Sequence, residues 1–144
     1  MTTPELTYNC RRCRKPIDDG RGYICVDRDA AFGRPRRMRR WRAELHKNCV
    51  KRWCIHPVGD FEGCPDVVRW LTYHTRCDPQ RNEANVYRID VERCRTVWAL
   101  LDWTAHLISK RWFIHTNWNE FLRSAHTQIP FAGQPITRRP RVAR

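Results

Sequence analysis

Three short motifs constrain this chain more than anything else in it: Cys10-Arg-Arg-Cys13, His46-Lys-Asn-Cys49 and His74-Thr-Arg-Cys77. Two residues between a pair of ligand-type side chains let a tight turn, or one turn of helix, aim both at a single tetrahedral ion. That spacing recurs in structural zinc sites. The other common use of clustered cysteine is a disulfide framework, which belongs to exported proteins and does not require histidine partners. The start MTTPELTYNCRRC contains no apolar signal-peptide core, and no run approaches the roughly 20 apolar residues that cross a bilayer. The expectation is an intracellular protein with no membrane partner, whose cysteines serve as thiolate ligands for one or two zinc ions.

The ligand set expected from the spacing is Cys10, Cys13, His46, Cys49, Cys54, Cys64, His74 and Cys77, with His56 competing for the place of Cys54. Two partitions are open. Each His-x-x-Cys pair can serve its own ion in chain order, or Cys10 and Cys13 can join His74 and Cys77 while His46, Cys49, Cys54 and Cys64 form an inner site. The ligand list is the same in both, and Cys25 and Cys94 are left as ordinary buried thiols.

Local signals place these motifs on elements. Asp19-Gly20-Arg21-Gly22 followed by Tyr23-Ile24-Cys25-Val26 reads as a turn feeding a strand, part of a β-hairpin just after the Cys10–Cys13 knuckle. His46 and Cys49 fall in a helix-like segment from Trp41 to Trp53. Val91, Cys94, Val97, Trp98, Leu101, Ala105 and Ile108 keep helical spacing and predict one amphipathic helix over 90–110. Asn117 and Glu120 have capping-box spacing ahead of Trp118, Phe121, Leu122 and Ala125, which predicts a second helix. The fold class expected is a small α+β protein: a zinc-binding lobe over 8–79 with an Arg-rich insertion, packed on a Trp-rich helical hairpin over 86–127, and a flexible basic tail over 130–144. A soft boundary lies near Asp78-Pro79. Helical spacing explains most of the tryptophans as core. His106, His115 and His126 pair with no nucleophile and lack metal-ligand spacing, so no catalytic residue is assigned.

Charge narrows the partner. The formal net charge is +13, and Lys plus Arg outnumber Asp plus Glu on both sides of the boundary. Such a surface attracts polyanions. The sharpest feature is Arg34-Pro-Arg-Arg-Met-Arg-Arg-Trp-Arg42, with six arginines in nine residues and no acid before Glu44. Held between two ligand pairs as a loop or the start of a helix, Arg34, Arg36, Arg37, Arg39, Arg40 and Arg42 have phosphates as their natural partner. The leading expectation is a zinc-stabilised protein that binds nucleic acid, DNA ahead of RNA. The second is a zinc-finger interaction protein that occupies and modulates an acidic host protein. An enzyme is third, because His46 is already assigned to zinc and no other histidine is paired for catalysis. No small-molecule substrate is inferred.

The order of knuckle, hairpin and a helix with the last two ligands resembles the treble-clef zinc fingers, and Cys-x2-Cys followed by His-x2-Cys resembles the LIM-type arrangement within them. The 32-residue spacer from Cys13 to His46 is longer than LIM domains tolerate, and the second group lacks their Cys-x2-Cys pairs. The resemblance therefore implies ligand logic rather than LIM function. The Tyr87–Arg93, Leu101–Trp112 and Thr116–Trp118 segments, with His74-Thr-Arg-Cys77-Asp78-Pro79, resemble small actinobacterial-phage proteins of unassigned function. That likeness implies a phage or mobile-element origin, residence in the host cytoplasm, the crossed ligand pairing, and an insertion over 34–70 with its own metal.

Overall fold

The computed structural model describes residues 5–47, 49, 56 and 58–126. It is a small α+β structure: a three-stranded antiparallel sheet with three helices. The strands are β1 (Gly22–Asp27), β2 (Leu71–His74) and β3 (Val86–Asp90), in the order β2-β1-β3. The helices are α1 (Arg28–Leu45), α2 (Val97–Ile108) and α3 (Trp118–His126).

β1 is the central strand because almost all of it is buried, as its apolar run Tyr23-Ile24-Cys25-Val26 requires. Its partner on one side is remote in sequence: Gly22 pairs with His74 and Cys25 with Leu71. The local hairpin expected after the knuckle is thus replaced by a long-range pairing, and the whole of α1 lies between the two strands. On the other side Tyr23 pairs with Asp90 and Asp27 with Val86. The expected boundary near Asp78-Pro79 consequently falls inside one sheet, and one apolar core runs from Leu6 to Ala125.

α1 begins where Asp27 caps it, its Oδ1 accepting the Ala30 N–H at 2.8 Å. The helix then runs through the arginine-rich segment and through Pro35. This differs from the expected helix of Trp41–Trp53: the arginines lie inside a helix that ends at Leu45, and His46 is its C-cap. Proline forfeits one helical hydrogen bond there. The returning chain lies along α1, with Phe61 against Trp41, Cys64 beside Met38, and the Pro65 and Asp66 carbonyls on Arg34.

The single helix expected over 90–110 is two elements, a 3-10 turn (Val91–Cys94) and α2. Arg95 explains the break. Its carbonyl accepts the Leu6 N–H at 2.7 Å, while its guanidinium donates to Asp19 at 2.8 Å and to the Ile17 carbonyl at 2.6 Å. Thr96 then caps α2 through the Ala99 N–H. The second expected helix is present as α3, but Asn117 does not close a capping box. Its Oδ1 accepts the Trp70 N–H at 2.8 Å and so ties α3 to the strand region. Trp70, Tyr87, Trp112 and Trp118 form a contiguous aromatic layer, with Trp70 and Trp118 centroids 4.7 Å apart. No helix among the described residues is long and apolar enough to cross a membrane.

Candidate metal centre

The segment Asn9–Pro16 folds back on itself. The Cys10 N–H donates to the Lys15 carbonyl and the Arg14 N–H to the Cys10 carbonyl, both at 2.8 Å. That knuckle turns Cys10 and Cys13 the same way, as their spacing predicts. His74 is the last residue of β2, and the turn after it is closed by Cys77 N–H donating to the His74 carbonyl at 2.8 Å. The knuckle meets β2 through Arg11 N–H to the Thr72 carbonyl and Thr72 Oγ1 to the Asn9 carbonyl. Ligand atoms of Cys10, Cys13, His74 and Cys77 consequently lie within 4.8 Å of one another. Of the two open partitions, this grouping matches the crossed one. The last two ligands come from a strand end and a turn, not from the helix that a treble clef uses.

The donor set fits a metal ion. A tetrahedral zinc with bonds of about 2.3 Å to sulfur and about 2.0 Å to nitrogen separates such ligands by about 3.5 Å. Cys13 Sγ and His74 Nδ1 are 3.3 Å apart. His74 Nε2 lies 3.0 Å from the Pro16 carbonyl, which only an N–H can satisfy, so the Nδ1 lone pair is left facing the sulfurs. Burial alone pushes the Cys10 thiol up, but backbone N–H groups of Cys13, His74 and Arg12, with the His74 side chain, outweigh it and bring the thiol to about 6. Burial, then Cys10 and Cys13, push Cys77 the other way. Three sulfurs this close can all be thiolates only with a cation among them.

Two neighbours support the turn. Asp78 is buried, accepting Tyr23 O–H at 2.5 Å and Gln80 N–H at 2.8 Å, with Arg88 Nη2 at 3.7 Å. Burial and the Asp78 carboxylate raise the Tyr23 phenol to about 12. By local pattern Asp78 marks only a boundary. Its position next to Cys77 is the one signal in the sequence that it anchors a ligand.

A second group forms where α1 ends. The Cys49 sulfur lies 3.5 Å from His46 Nδ1 and 3.7 Å from His56 Nε2, and the three donors lie within 4.8 Å of one another. Cys49 is disulfide-bonded, so this group could hold a metal only in the reduced state. His56 is in this group. Cys54 lies outside the described residues. Cys64 is brought to neither group, and its sulfur sits 4.0 Å from Met38 Sδ because the returning chain packs it on α1. Cys25 and Cys94 are buried away from both groups, as expected of ordinary thiols, and burial raises each to about 12.

The arginines divide. Arg34 is half-buried and committed to the Pro65 and Asp66 carbonyls at 3.0–3.2 Å, with His115 Nδ1 at 3.4 Å. Arg37 donates to the Ala30 carbonyl at 2.9 Å but is exposed. Arg36, Arg39, Arg40 and Arg42 are exposed on α1, whose acidic residues are Asp29 near one end and Glu44 near the other. Comparison with protein-family models, with curated proteins and with solved structures gives no match.

Proposed function

We propose that this chain is a zinc-stabilised nucleic-acid-binding protein, with one ion held by Cys10, Cys13, His74 and Cys77 and with α1 as its phosphate-contacting element. Three thiolates and an imidazole are donors that suit zinc, and four protein ligands leave no coordination position for a reacting water, which supports a structural ion. A second ion at His46, Cys49 and His56 would need the cysteine reduced. The observation that carries the functional reading is the α1 surface: Arg36, Arg37, Arg39, Arg40 and Arg42 are all exposed on one helix. Rigid guanidinium groups of one sign, spread along roughly 10 Å of helix, suit a polyanion more than a single charged ligand.

The test replaces Arg36, Arg37, Arg39 and Arg40 with Ala. Affinity for unrelated duplexes should fall about equally, and the slope of log affinity against log salt should flatten by roughly 0.9 for each phosphate no longer neutralised. Zinc content and melting temperature should be unchanged. Unaltered binding would remove α1 from this role.

A second reading, in which the chain docks on a protein partner, is favoured by one feature. Trp98, Leu101 and Ile108 on α2 are 72%, 50% and 64% exposed at helical spacing, an apolar stripe of the kind protein partners cover. If the α1 variant keeps nucleic-acid affinity while Trp98→Ala abolishes binding to a protein partner, this second reading replaces the first.

A further inference from the structure

A groove beside the knuckle has a composition that α1 does not offer. It runs between the Thr7–Arg11 segment, the start of β2 and α3, and the side chains used below are Asn9, Arg11, Arg14, Thr72, Phe121 and Ser124. No carboxylate lines it. Arg11 and Arg14 are exposed, and Phe121 is half-buried. The Phe121 ring belongs to a stack, nearly parallel to Tyr8 with centroids 6.1 Å apart and tilted 24° from Trp118 at 5.1 Å. The groove therefore combines two cations, a fixed aromatic ring, the Asn9 amide, and the Thr72 and Ser124 hydroxyl oxygens, which can accept because their protons go to the Asn9 and Phe121 carbonyls.

Arg14 adds an independent observation. Its φ is 63°, in the left-handed region that disfavours a residue with Cβ and that glycine occupies freely. The knuckle needs that turn, since Arg14 N–H donates to the Cys10 carbonyl. It does not need an arginine there. The side chain at this strained position is a long cation that stands at the groove.

We infer that this groove binds a single strand of nucleic acid, with Arg11 and Arg14 on successive phosphates and a base against Phe121. Phosphate contact together with stacking is the chemistry of strand recognition without duplex geometry, and Asn9, Thr72 and Ser124 supply polar contacts at base edges. The inference rests on the nucleic-acid reading for its ligand class, but not on α1.

The experiment measures binding of the zinc-loaded full chain to a labelled 20-mer of thymidylate and to a 20-base-pair duplex. The variants are Arg11→Ser with Arg14→Gly, Phe121→Leu alone, and the four-arginine α1 variant. The groove pair should weaken single-strand binding and reduce its salt slope by about 1.4, at roughly 0.7 per phosphate, with melting temperature held or raised. Phe121→Leu, which keeps an apolar side chain in the stack, should lower single-strand affinity at least about fivefold and leave the salt slope alone. Both should affect the duplex less than the α1 variant does. Single-strand affinity unchanged in Phe121→Leu and in the pair overturns the groove. If only the α1 variant then loses binding, the α1 reading stands without it, and if only the groove variants lose binding, the reverse holds. Wild-type protein that binds neither probe overturns both.

Discussion

His74 is restrained through both ring nitrogens, one on the Pro16 carbonyl and the other facing Cys13. The ring is therefore held in one orientation, with Nε2 on the carbonyl and Nδ1 toward the sulfurs, as a ligand through Nδ1 requires. The cysteines divide by environment. Cys10 is poised toward thiolate by the N–H groups around it, whereas burial holds Cys25 and Cys94 as neutral thiols up to about 12. Because these two are raised above their usual 9.0, their contribution to stability is complete below about pH 9 and is lost as pH rises toward 12. Iodoacetamide at pH 8 should leave Cys25 and Cys94 of the native zinc-loaded protein unlabelled, as peptide mass mapping would report. Chelation should expose Cys10, Cys13 and Cys77 to the reagent. Labelling of Cys94 before Cys13 during that treatment would contradict the assignment.

Between elements, the site depends on how closely β1 and β2 approach. Gly22 faces His74 across the pair, and a Cβ at Gly22 would lie 2.2 Å from the Tyr73 carbonyl and 3.0 Å from His74 Cα. It would meet this backbone and, at 2.8 Å, the buried Ile17 Cγ2 as well. Gly22→Ala must therefore push the end of β2 away, and His74 with it. The expected result is a loss of stability of about 2 kcal/mol or more together with weaker zinc retention. Gly20 supplies the contrast, because its φ of 72° needs glycine while nothing lies within 4 Å of a Cβ there. Gly20→Ala should cost stability of about 1 kcal/mol without altering zinc affinity, as competition with a colorimetric chelator would show.

For the whole molecule, the proposed ion is a staple between Cys10–Cys13 and His74–Cys77, and it closes a loop that contains all of α1. The core is one body with the site: Cys10 belongs to it with Ile24, Ile89, Val91 and Leu107, each at most 1% exposed, and the tryptophan layer lies beside them. Structural zinc contributes about 10–16 kcal/mol of apparent folding energy, against a total of about 5–15 kcal/mol for an ordinary domain. Chelation should thus abolish the cooperative thermal transition rather than merely lower it, since no boundary separates the site from the core. Circular dichroism before and after chelation checks this. A chelated protein that melts at the same temperature with the same helix content would mean that the donors are not a structural metal site.

The sequence by itself determined the local facts. Two intervening residues orient Cys10 with Cys13 and His74 with Cys77, an apolar run makes β1, and helical spacing marks α3 and the existence of α2, because each depends only on neighbours a turn or a strand-length away. The buried face of α2 differs from the expected one: Trp98, Leu101, Ala105 and Ile108 are exposed, and Leu100 and Leu107 are buried instead. Tertiary structure alone decided which pairs share donors, since that follows from the Gly22-to-His74 register across a long connection. It also left Cys64 beside Met38, committed Arg34 to the Pro65 and Asp66 carbonyls, and divided the expected 90–110 helix at Arg95. In each case a side chain with an ordinary local pattern met a partner that no periodicity encodes. Long-range contact, rather than local preference, then set its role.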